Sequence, residues 1–172
     1  TIIVTTMSAG AQQPAPPENA AVSEMPKETA RTGKRVNRVI DMWLKSQPVY
    51  YAQIGAGGYE QAKQMAATKA DYITYKMEHG PLDFKELREF MRGLLEAGPT
   101  RTGHKTPAVI VTLPIAGTTD ALRANGWMIQ QALATGVHGI LLCNAESPEA
   151  ARLMIEAARY PFAPRVERLA QG

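Results

Sequence analysis

The sequence predicts an α/β protein built on a parallel sheet. Between residues 49 and 159 short apolar, β-prone runs alternate four times with helical stretches, and each run gives way to a turn marked by Gly, Pro, Asn or Ser. Runs such as Pro107-Ala-Val-Ile-Val-Thr112 and Gly139-Ile-Leu-Leu-Cys143 lack polar alternation, the pattern of strands buried on both faces. Right-handed strand–helix–strand crossovers satisfy either an open doubly wound sheet or a closed eight-stranded barrel. Four units are half of such a barrel.

At 172 residues and 45% apolar content the chain is long enough for one domain with a real core. It has no apolar stretch long enough to span a membrane, which argues against a membrane partner. The net charge is only +3, and residues 27–38, with five basic groups against one carboxylate, read as a solvated linker and helix start. Basic and aromatic residues are not interleaved as single-stranded nucleic acid requires, so no nucleic-acid partner is expected. The lone Cys143 excludes an internal disulfide and any cysteine-cluster metal site, and its apolar run places it in the core.

Residues 1–33 are rich in Ala, Pro, Gln and small polar residues without a sustained period, and are expected to form an extended or disordered arm. Ile2-Ile-Val4 followed by Ala9-Gly-Ala11 has the look of an apolar signal segment's tail with a small-residue cleavage site. On that reading the protein is exported or periplasmic; otherwise the arm packs on another subunit.

From residue 34 the pattern changes. Val36, Val39, Ile40, Trp43 and Leu44 recur at helical spacing until Pro48, which puts Trp43 in the core. The first strand, 49–54, enters the turn Gly55-Ala-Gly-Gly58 and a helix from about 59 to 68. A glycine turn can cradle phosphate on free amides, but neither the dinucleotide fingerprint's later acid nor the P-loop Lys-Ser/Thr is present, so geometry suffices to explain it.

The second unit carries the chemistry. Strand 70–77 ends in Glu78-His-Gly-Pro81, and a helix follows from Asp83, an N-cap with Glu86 three residues on. In parallel α/β folds the carboxyl ends of strands face the ligand crevice, so Glu78 and His79 project into a site there. The alternative for His79 is a hydrogen-bonded loop residue. His104, in the basic loop 98–105, reads as exposed and idle. The third unit is strand 107–112 with a helix from 120 to 135, closed by Gly136. The fourth is strand 139–143 with a helix from 148 to about 159, capped by Ser147 with Pro148 at its first position. His138 lies at the amino end of that strand, the stability side of such sheets.

The runs Asn37-Arg-Val, Ala70-Asp-Tyr-Ile-Thr-Tyr-Lys-Met-Glu-His-Gly-Pro-Leu-Asp83, Gly136-Val-His-Gly-Ile-Leu-Leu142, Ser147-Pro-Glu-Ala-Ala151 and Ala158-Arg-Tyr-Pro-Phe162 resemble, in order, the HpcH/HpaI aldolase and citrate lyase family over residues 34–165. The resemblance implies a (β/α)8 barrel of the TIM type, of which this chain supplies about the first four strand–helix units, and a cytoplasmic homo-oligomer. It implies a carbon–carbon lyase acting on a small molecule, a 2-oxo acid aldol, held on a divalent metal, Mg, Mn or Co. A histidine relays the proton of the aldol hydroxyl. That histidine carries over to His79 and the acid before it to Glu78, with Lys76, Gly80 and Thr112 placed to bind substrate.

Departures from the family pattern are as informative. Lys76 stands where the family has an Asp, Val109-Ile-Val-Thr112 where it has an Arg, and Ala134 where it has the Asp that pairs with the histidine. Arg123 or Lys76 is a candidate replacement for the missing cation. Lys76 is also a candidate Schiff-base nucleophile, against the plainer reading of a surface or ion-paired lysine. The family's metal ligands lie on later strands, so no metal ligand is expected in this chain. A half-barrel with open edges and an apolar interior calls for a second half, as a separate chain or a further segment. A non-catalytic barrel serving as a binding or structural subunit is the alternative.

Overall fold

The computed structural model describes residues 2–5 and 35–159. Its order is β1 (Ile2–Thr5), α1 (Arg38–Leu44), β2 (Tyr51–Ile54), α2 (Tyr59–Ala66), β3 (Tyr72–Lys76), α3 (Phe84–Glu96), β4 (Ala108–Thr112), α4 (Thr119–Ala134), β5 (Gly139–Cys143) and α5 (Pro148–Ala157). The four strand–helix units expected from the sequence are present. All strands run parallel in the order β1-β5-β4-β3-β2, with Tyr72 opposite Ala108 and Lys76 opposite Thr112. Within the segment read as an arm, Ile2–Thr5 is a strand paired with β5, Ile2 opposite Ile140; the rest of residues 1–33, including the proposed cleavage site, lies outside the described residues.

The period of two along each strand divides the sheet. On one face Ile73, Tyr75, Met77, Val109, Val111, Leu113, Ile140 and Leu142 join Leu87, Phe90, Leu94, Ile129 and Met154 of the helices in a single core. Each buried side chain of this size contributes about 1.5 to 3 kcal/mol by leaving water. Close packing is enforced at Gly93 of α3, where a Cβ would meet the Tyr59 carbonyl at 2.5 Å and the Ala62 Cβ at 2.7 Å. The other face carries Tyr51, Gln53, Tyr72, Thr74, Lys76, Thr112, Leu141 and Cys143. This corrects one expectation: Tyr51 and Gln53 of β2 are exposed, so not every strand is buried on both sides. The strand β1 extends the sheet beyond β5, so that β1 and β2 are its edge strands.

Local signals set the helix starts. Asp83 accepts from the Glu86 amide at 2.8 Å and Ser147 from the Ala150 amide at 3.1 Å, with Pro148 at the first turn. The glycine turn is tied to the core through Gly57. Gly57 donates its amide to the Tyr75 hydroxyl at 3.1 Å and accepts the Tyr75 proton on its carbonyl at 2.9 Å, so its groups are committed to the core.

The helix α1 closes the amino ends of the strands. Asn37 caps it, Arg38 reaches Asp71 at 2.7 Å, and Asp71 in turn accepts from the Tyr50 amide. Trp43, expected in the core, is 47% exposed, and Val36 and Leu44 are also exposed. Seven residues of helix present one inward position, which Val39 fills, so the rest of the apolar stripe faces outward. His104, expected to be exposed, is buried. Its Nδ1 lies 2.9 Å from the Thr102 hydroxyl and its Nε2 3.7 Å from Asp41, so the loop folds around it instead of displaying it. Among the described residues no helix is long and apolar enough to cross a membrane.

His138 is structural, as its place at the amino end of β5 implied. Its Nδ1 accepts from the Val109 amide at 3.1 Å while its own amide donates to the Val109 carbonyl at 2.8 Å. Burial, with a contribution from His104, lowers its pKa to about 4 from the ordinary 6.5. The unfolded chain therefore takes up the proton first as pH falls. Stability conferred by the neutral ring is full above pH 6.5 and declines as the pH drops towards 4, by on the order of 2 to 3 kcal/mol. Urea unfolding at a series of pH values should show this decline in the wild type and a weaker one in His138→Gln.

Candidate functional site

The carboxyl ends of β3, β4 and β5 come together around a cleft of about 480 Å³. Each strand contributes its last residue, Lys76, Thr112 and Cys143, all on the face away from the helices. The turn after β3 adds Glu78 and His79, and that after β5 adds Asn144, whose φ of 54° puts it in the left-handed region that Asn tolerates. Tyr51 and Tyr72, stacked with centroids 5.6 Å apart, form the wall towards β2. The rim is braced where the two later loops touch. The Glu146 amide donates to the Gly117 carbonyl at 3.0 Å, and a Cβ on Gly117 would run into the Asn144 carbonyl, so only glycine fits.

Glu78 is the best-fixed polar group here. Its side chain is 22% exposed, and its Oε2 accepts a hydrogen bond from Cys143 Sγ at 3.0 Å. His79 stands at the mouth with its ring 83% exposed and Nε2 3.8 Å from Glu78 Oε1. The turn therefore aims the acid inward and the imidazole outward. Thr112 is 2% exposed, and its hydroxyl has no hydrogen-bond partner. Lys76 extends from the end of β3, opposite Thr112 in the register.

Of the residues singled out from sequence, Lys76, Glu78, His79 and Thr112 are brought together; Gly80 sits exposed in the turn and does not line the cleft. Arg123 is elsewhere, 3.7 Å from Glu149 on the outer helices, which leaves Lys76 as the lysine of the site. Ala134 lies in the exposed last turn of α4, away from the cleft. Among the described residues no group of three His, Cys, Asp or Glu side chains is arranged to hold a metal ion.

Cys143 was expected in the core and is instead a half-buried cleft residue. The apolar run Gly139-Ile-Leu-Leu-Cys143 misleads because the period of two turns Ile140 and Leu142 to the helices and Leu141 and Cys143 to the cleft. The odd spacing from Ile140 was the signal available. Burial pushes the thiol up to about 12, and the Glu78 hydrogen bond and charge add to it, while Lys76 pulls the other way.

Comparison with known proteins fits this architecture. No family model and no curated protein matches the chain. Several solved structures do, among them two HpcH/HpaI family proteins. A HpcH/HpaI aldolase/citrate lyase family protein from Burkholderia cenocepacia J2315 aligns with a TM-score of 0.57 and 21% identity, over 74% of this chain and 45% of that one. The HpcH/HpaI aldolase from Desulfitobacterium hafniense DCB-2 aligns with a TM-score of 0.54 and 21% identity, over 75% and 44%. The chain thus spans less than half the length of these structures. At this identity the likeness shows the fold: an α/β chain of the aldolase barrel type, contributing four strand–helix units. The resemblance noted in the sequence leads to the same family.

The sequence has one cysteine, so its chemistry can be read without ambiguity. Replacing Glu78 by Gln removes the negative charge that opposes thiolate formation, and each pKa unit lost should raise the alkylation rate at pH 8 about three- to fourfold, the tenfold gain in thiolate being offset in part by its weaker nucleophilicity. Iodoacetamide labelling of Glu78→Gln followed by mass spectrometry should therefore run faster than in the wild type.

Proposed function

We propose that this chain is the amino-terminal half of an aldolase-like carbon–carbon lyase acting on 2-oxo acid aldols. The observation that carries the reading is the convergence of Lys76, Glu78, Thr112 and Cys143 on one cleft at the carboxyl ends of β3–β5, with His79 at its mouth, in a fold shared with HpcH/HpaI aldolase structures. Strand ends of this kind are where barrel enzymes place their reacting groups.

The chemistry follows from the residues. A retro-aldol cleavage needs a group to take the hydroxyl proton and a positive centre for the charge that appears as the bond breaks. Glu78, held by the thiol, accepts the proton, and the exposed His79 next to it passes it to water. The ammonium of Lys76 faces the developing enolate, and Thr112 supplies a hydrogen bond. The divalent metal that the resemblance implies finds no set of ligands among the described residues, so no step is assigned to it; in this proposal its ligands come from the second half of the barrel. That half, as a further segment or a separate chain within an oligomer, would also close the sheet beside β2.

A second reading has its own support. His79 is 83% exposed, and Ala134 leaves it without an acid from α4, as in a barrel that has lost its relay and serves as a binding or structural subunit.

A complemented barrel assayed with 4-hydroxy-2-oxo acids should release pyruvate. Glu78→Gln should then lower kcat by about 10²–10⁴ with little change in KM, and His79→Ala by about 10². Full turnover in His79→Ala would exclude it as the relay, and binding without product in every variant would favour the second reading.

A further inference from the structure

The strands β2, β3, β4 and β5 follow one another across the sheet in chain order, each laid parallel to its predecessor through a helix. Crossovers of this kind are right-handed, so in a barrel the strand that follows α5 belongs beside β5, on the edge away from β4. That edge is filled. Ile2–Thr5 lies along it in parallel, Ile2 opposite Ile140 and Thr5 opposite Cys143. The first strand of the sequence stands where the sixth would go.

The hold of β1 on this place is slight. Each of β3, β4 and β5 has a strand on both sides and leads into a helix, whereas β1 is a four-residue edge strand whose one substantial neighbour among the described elements is β5. A pairing this short supplies only a few backbone hydrogen bonds, each of modest net strength. Residues 6–37 tether β1 to α1, a length of chain that reaches on the order of 100 Å when extended, so the strand can leave β5 while α1 stays in place.

We propose that the outer edge of β5 is a strand-acceptor surface for the complementing half of the barrel, and that Ile2–Thr5 is a placeholder displaced when that half docks. The occupant is a parallel strand, recognised by main-chain hydrogen bonds in the manner of β-strand addition. That this strand belongs to a barrel half rests on the reading above; the acceptor edge and its placeholder do not. A covered edge also spares the chain the edge-to-edge association that an open strand invites. Because Thr5 pairs with Cys143, which lines the cleft, the exchange brings the arriving strand to the border of the site.

The test uses the full chain and a fluorescein-labelled peptide of residues 1–6, Thr-Ile-Ile-Val-Thr-Thr, as the stand-in strand, followed by anisotropy. Of two adjacent residues in a parallel strand one turns its amide to the neighbour, so the double variant Ile3→Pro with Val4→Pro breaks the ladder and opens the edge. It should bind the peptide at least about tenfold more tightly than the wild type, in which the tethered strand competes at an effective concentration in the millimolar range. Ile3→Gly with Val4→Gly, which weakens the pairing without removing an amide, should fall between the two. Thermal unfolding checks that each variant folds. Hydrogen exchange of the wild type needs no variant: the amides of Ile2–Thr5 should exchange at least about a hundredfold faster than those of β3 and β4.

Protection of β1 equal to that of β4, equal peptide binding by the wild type and the proline variant, or no binding by that variant would each overturn the proposal. So would loss of folding in both variants, which would mark β1 as an integral strand. Peptide capture in this pattern without turnover in the complemented barrel would sink the lyase reading and leave the acceptor edge standing. Turnover with β1 protected as strongly as β4 would do the reverse.

Discussion

Everything in this chain depends on the alternation of side chains along parallel strands that are covered by helices on one face. A helix laid across a sheet buries every second residue, and those positions must be apolar; the residues between them point to the other side and are free to differ. In β3 the first set is Ile73 and Tyr75, continued by Met77, and the second is Tyr72, Thr74 and Lys76. The core and the cleft are thus written in the same five-residue strand. Neither can be altered by a one-residue shift in register without exposing the core and burying Lys76.

The helix-facing side is also what fixes the turns. Tyr75 packs edge-on against Phe90 with ring centroids 5.0 Å apart, and its hydroxyl binds both backbone groups of Gly57. The first glycine turn is therefore anchored by a strand from the next unit. At the opposite end of the strands Asp71, Asn37 and His138 tie α1 and the loops to the sheet by hydrogen bonds. With the amino end closed by polar contacts, the carboxyl end is the one left open, and the cleft lies there.

Inside the cleft, charge placement follows from strand ends rather than from one motif. Glu78 and His79 are neighbours in sequence but diverge in space, one towards Cys143 and the other towards solvent. The partner of Glu78 is 65 residues away. This long-range contact gives the turn after β3 its orientation, and a reading of Glu-His-Gly-Pro by itself treats the two residues as equals.

The sequence by itself determined the four strand–helix units, the caps at Asp83 and Ser147 and the direction of the strands, because caps, periodicity and crossovers are local properties of the chain. It also located four of the cleft residues, since the carboxyl end of a parallel strand is a place defined by topology. Only the tertiary structure decided that Trp43 faces out, that His104 is enclosed, that Cys143 leaves the core for the cleft and that Ile2–Thr5 joins the sheet. Those outcomes turn on which neighbour occupies the adjacent space, and a neighbour brought close by folding from a distant part of the chain leaves no mark in the local pattern of residues.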